Sequence, residues 1–99
     1  MNGSPLRASV VVPTYRRPDL LERCLRALCV QHFDPARYEI IVADDDGGDS
    51  AVRALAERLD GPVPVRYVAV TATQGPAGAR NAGWRIARGT VIAFTDDDT

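Results

Sequence analysis

The chain has 99 residues, 45% of them hydrophobic and 25% charged, with a formal net charge of −1. That is enough for one small domain of ordinary globular composition, burying a core with little margin. The near-neutral balance gives no bulk attraction to nucleic acid or anionic lipid, and no apolar run approaches the roughly 20 residues of a membrane helix. The opening "MNGSPLRAS" is not a secretory signal. The expectation is a cytoplasmic chain with a flexible tail over 1–7 and one domain over 8–99, and membrane association through a further carboxyl-terminal part stays open.

The elements alternate. "ASVVVPT" (8–14) is a continuous β-branched run, as a strand covered on both faces requires. Pro13 lacks a backbone donor and should mark its end. A helix follows over 17–33, with Pro18 in the first turn, Asp19 near the positive helix end, and an apolar face of Leu20, Leu21, Cys24, Leu25, Leu28 and Cys29. "YEIIVA" (38–43) is the second strand. "DSAVRALAERLD" (49–60) is a helix capped by Asp49 or Ser50, with Val52, Leu55, Ala56 and Leu59 buried. "VRYVAV" (65–70) is the third strand. "PAGARNAGWRIAR" (76–88) is a helix of small residues, with Trp84 and Ile86 read as core and Gly89 as a C′ glycine. "TVIAF" (90–94) is the fourth strand.

This order predicts an α/β fold of three layers, Rossmann-like, with a mostly parallel four-stranded sheet. Ligands of such sheets bind beyond the carboxyl ends of the strands. The segments expected at that rim are "PTYRRP", "ADDDGGD", "TATQGPAGARN" and "TDDD".

The rim is rich in acids. Asp44–Asp46 with Asp49, and Asp96–Asp98, each follow an apolar strand. Clustered carboxylates repel unless a cation compensates them, and hard oxygen ligands at i and i+2 suit Mg²⁺ or Mn²⁺. Asp44 and Asp45 stand where a carboxylate accepts hydrogen bonds from a base or ribose. The small residues of "GPAGARN" would let helix N–H groups approach an anion, and Arg80 would pair with phosphate or a rim carboxylate. All 12 basic residues are arginine, so lysine-based catalysis is excluded. Cys24 and Cys29 have no CxxC spacing and His32 is the only histidine, which argues against zinc and for cysteines as core fillers in a reduced compartment.

In order, "SVVVPTYRRPDLLERCLRAL", "YEIIVADDDGGD" and "GPAGARNAGWRIARGTVIAFTDDD" resemble the amino-terminal half of a family 2 glycosyltransferase of GT-A fold. The resemblance implies transfer of a sugar from a nucleoside-diphosphate sugar to an acceptor hydroxyl with inversion. It implies that Pro13, Thr14, Tyr15 and Asp45 line the base pocket, and that Arg80 and Asn81 border the donor. Asp96 and Asp98 would form the DxD pair, Asp96 meeting the donor and both holding a divalent Mg²⁺ or Mn²⁺. Asp46 and Gly47 depart from the family's usual "DDGS". The acceptor site and catalytic base lie beyond the DxD in the family, so this donor half is expected to be inactive alone. The fourth strand is expected to leave an open edge prone to self-association. A nucleotidyltransferase, a phosphohydrolase of haloacid dehalogenase type and a non-catalytic nucleotide-binding module are the alternatives.

Overall fold

The computed structural model describes residues 7–15, 17–30, 37–45, 50–59, 63–70 and 76–95. Seven elements follow in order: β1 (Ala8–Thr14), α1 (Pro18–Cys29), β2 (Tyr38–Asp44), α2 (Ser50–Arg58), β3 (Val65–Ala69), α3 (Pro76–Ile86) and β4 (Val91–Phe94). The strands form a single parallel sheet in the order β3-β2-β1-β4. β2 is buried along its whole length, which explains why its apolar residues run without alternation.

Side chains alternate across the sheet and sort the helices into two layers. Val12, Ile40 and Val42 face α1 and α2, packing with Leu21, Leu25, Val52, Leu55 and Ala56. Val11, Ile41 and Ala43 face α3, packing with Ala79 and partly with Ala82 and Ile86. Leu21 and Leu25 are fully buried, and each contributes roughly 1.5–3 kcal/mol by leaving water. α1 ends at Cys29 rather than continuing to residue 33. The Tyr38 hydroxyl donates to the Leu28 carbonyl at 2.7 Å, satisfying one of the last-turn acceptors a helix leaves open.

α3 corrects two expectations. Trp84 is 56% exposed and does not join the core. The buried face of this helix is Ala79, Ala82, Gly83 and Ile86, and Gly83 lies so near Val11 that a Cβ would overlap its Cγ1. That close approach turns the next residue, one helical step round, away from the sheet. The helix also stops at Ile86, so Gly89 is not its C′ residue. Gly89 is instead the point where the chain crosses Ala8 and Ser9, a Cβ there falling 2.6 Å from the Ser9 nitrogen.

At the amino edge of the sheet a buried carboxylate ties four segments together. Glu39 Oε2 accepts from the Ser9 hydroxyl at 2.6 Å and the Arg88 N–H at 2.8 Å, and Oε1 accepts from Arg66 Nη1 at 3.1 Å. Arg66 also donates to the Ile86 carbonyl at 2.6 Å, and the Gly89 N–H donates to Ser9 Oγ at 2.8 Å. This network lies at the end of the sheet opposite the strands' carboxyl ends.

Candidate functional site at the carboxyl edge of the sheet

The register aligns the strand ends. Thr14 of β1 is the Cα partner of Asp44 in β2, which is the partner of Ala69 in β3. The Asp45 N–H donates to the Thr14 carbonyl at 2.9 Å, and the Val70 N–H donates to the Asp44 carbonyl at 2.8 Å. The first residue beyond β2 and the first beyond β3 are thereby fixed to their neighbours. Thr14 is buried, Tyr15 is half exposed, and Asp45 is partly buried.

β4 ends lower. Phe94 pairs with Val11, and the Thr95 N–H donates to the Val11 carbonyl at 3.1 Å. Carbonyls and N–H groups of a strand point alternately to its two neighbours. Val11 bonds toward β4 and Thr14 toward β2, so Pro13 falls on the β4 side, where it has no N–H to give. Pro13 thus limits the β1–β4 ladder while β1 continues to Thr14 beside β2. The strand order also reverses here, since β2 and β3 lie to one side of β1 and β4 to the other. The gap above β1 and β4 is the topological switch point, the place where parallel sheets of this kind bind ligands.

Asp44 differs from the other rim residues. Its side chain is fully buried, and its Oδ2 accepts from the Tyr67 hydroxyl at 2.6 Å. The Arg53 guanidinium of α2 sits over the Tyr67 ring, 5.2 Å from its centroid. No sequence motif pointed to Tyr67. Its signal lay in register alone, because it pairs with Val42 and so reaches diagonally to Asp44 on the same face.

Arg80 and Asn81 are exposed in the second turn of α3. Asp96 and Asp98 lie outside the described residues, as do residues 46–49 and 71–75. Among the described residues no group of three or more His, Cys, Asp or Glu side chains is placed to hold a metal ion.

The sequence profile of glycosyl transferase family 2 matches residues 9–99. The chain belongs to this family. A poly(ribitol-phosphate) beta-glucosyltransferase of Bacillus spizizenii is 35% identical over 94 residues, covering 94% of this chain and 15% of that protein. A validoxylamine A glucosyltransferase of Streptomyces hygroscopicus subsp. limoneus is 38% identical over 92 residues, covering 89% and 19%. In structure, the mannosyltransferase PcManGT from Pyrobaculum calidifontis, in complex with GDP-Man and Mn²⁺, superimposes with a TM-score of 0.79 at 35% identity, covering 95% of this chain and 28% of that one. S. aureus TarS 1-349 in complex with UDP-GlcNAc gives 0.77 at 27% identity, covering 94% and 27%. The four-stranded parallel sheet with helices on both faces is therefore the Rossmann-like core of the GT-A fold. This family 2 chain spans 15% and 19% of the lengths of the two curated relatives, a small part of each.

Proposed function

We propose that residues 8–99, preceded by a tail over 1–7, form the donor-binding part of a family 2 glycosyltransferase. It would hold a nucleoside-diphosphate sugar at the switch point between β1 and β4. One observation carries this reading: the sheet reverses where Pro13 limits the ladder, with Pro13–Tyr15 on one side and the chain leading to Asp96–Asp98 on the other. The solved relatives with bound UDP-GlcNAc, UDP and GDP-Man support it.

In this reading Pro13, Thr14, Tyr15 and Asp45 contact the base and ribose, and Asp44 anchors the turn that presents Asp45. Arg80 and Asn81 face the donor from α3, where the guanidinium can pair with phosphate. Asp96 and Asp98 supply hard oxygens at i and i+2, a donor set suited to Mg²⁺ or Mn²⁺. Held by Asp96 and Asp98, a divalent ion would supply positive charge to offset that of the leaving diphosphate. Asp96 also meets the donor directly.

Transfer to an acceptor hydroxyl needs a carboxylate base on the far side of the sugar, which gives inversion. None of the residues assigned above is placed for that role. These 99 residues therefore bind donor weakly and do not transfer it alone. None of the residues assigned above holds the acceptor.

Calorimetric titration of the purified chain with UDP and GDP, with and without Mn²⁺, tests the reading. Binding that requires Mn²⁺ and is lost in Asp96→Ala and Asp98→Ala is the expected result. Absence of nucleotide binding, or equal binding of simple phosphate esters, would overturn it.

A further inference from the structure

We infer that Tyr67 is a positioning residue for the nucleotide donor, acting through Asp44. The inference rests on the donor-binding reading above and adds to it a strand that carries none of the rim motifs. Asp44 and Asp45 are adjacent, yet their side chains have different surroundings. Asp44 is wholly buried with its Oδ2 2.6 Å from the Tyr67 hydroxyl, whereas Asp45 is partly buried at the rim. A carboxylate is costly to bury without hydrogen bonds to it. The hydroxyl of Tyr67, a charge-assisted donor here, is part of what keeps Asp44 inside.

The backbone makes that matter at the site. The Asp44 carbonyl holds Val70 and the Asp45 N–H holds Thr14, so the peptide between Asp44 and Asp45 is tied to β3 and β1 together. The Asp44 side chain is the third tie, holding the end of β2 to β3 through the Tyr67 hydroxyl. Arg53 covers the Tyr67 ring from α2 at 5.2 Å, holding the ring against the sheet by cation–π attraction. Tyr67 pairs with Val42, one pleat behind Asp44, so a side chain of this length is needed to span the diagonal. Phenylalanine keeps the ring and removes the hydroxyl that makes the tie.

Three versions of the full 99-residue chain decide it: the wild type, Tyr67→Phe and Ser9→Ala. The last loses a buried hydrogen bond at the opposite edge of the sheet and serves as a control for stability alone. Each is titrated with UDP and with GDP in Mn²⁺. Circular dichroism fixes the folded fraction at the titration temperature, and sucrose is added where a variant is marginal. Tyr67→Phe is expected to weaken nucleotide binding about three- to tenfold per folded molecule, the range of one lost hydrogen bond, while Ser9→Ala binds as the wild type does. In an Asp44→Ala background, Tyr67→Phe is expected to weaken binding no further. Unchanged affinity in Tyr67→Phe, parallel losses in both single variants, or a full further loss on top of Asp44→Ala would each overturn the inference and leave the donor reading standing. A wild type that binds neither nucleotide would overturn both.

Discussion

Ser9 and Glu39, 30 residues apart in the chain, share a 2.6 Å hydrogen bond in which both side chains are buried. Glu39 is 1% exposed and also receives Arg66 and the Arg88 N–H, so removing its charge leaves buried donors without their acceptor. Glu39→Gln is expected to cost about 2 kcal/mol. For a domain of this size that lowers the melting point by about 8–16 °C, measurable by circular dichroism. A melting point within a degree or two of wild type would contradict the role given to this carboxylate.

The same group sets an acid limit. Burial pushes the Glu39 carboxyl up, and hydrogen bonds from Ser9, Arg88 and Arg66 together outweigh it, so the folded value lies below the ordinary one. On acidification the unfolded carboxyl takes up its proton first. The stabilisation is complete above the ordinary value of 4.5 and is lost as pH falls through the lower folded value. Urea midpoints should therefore drop below about pH 4.5, and the gap between wild type and Glu39→Gln should narrow there. A gap that stays constant to pH 3 would sink this account.

Gly83 is expected to tolerate no side chain. A Cβ would overlap Val11 Cγ1 and come within 3.2 Å of Cγ2, both part of a β-branched core residue with little freedom to turn aside. Gly83→Ala should lose about 1–3 kcal/mol as α3 is pushed off the sheet. Denaturant titration reads the loss directly.

Among the described residues β4 pairs with β1 on one side only, and Val91 and Phe94 are both about half exposed. An open apolar edge favours pairing with another copy, and lysine on an edge opposes it. Sedimentation of the 99-residue chain is expected to show association that rises with concentration and is reduced in Val91→Lys. A wild type that stays monomeric at millimolar concentration would refute this.

What the sequence conveyed depended on range. Alternating β-branched and amphipathic segments placed all seven elements, because those signals lie within a few residues of each other. The acids of the second strand were legible as rim residues for the same reason. Strand order was not, since it depends on pairings such as Val11 with Phe94, and the switch point came into view only with that order. Trp84 was misread because a large aromatic ordinarily marks a core. Here close helix–sheet contact at Gly83 leaves no room for a side chain at that point of the buried face, and Trp84 falls outside it. Asp44 and Asp45 look equivalent in "ADDDGGD", and what sets them apart, burial of Asp44 and its bond from Tyr67, 23 residues beyond it, is not visible in the motif.

The bond from the Gly89 N–H to Ser9 Oγ joins positions 80 residues apart. A nascent chain that has not yet released Gly89 from the ribosome cannot close the cluster around Glu39, however complete its first two strands are. Until that moment Glu39 Oε2 and Ser9 Oγ each lack one of the donors they have in the folded chain. Closing this corner of the sheet thus waits on the segment that leads into its fourth strand.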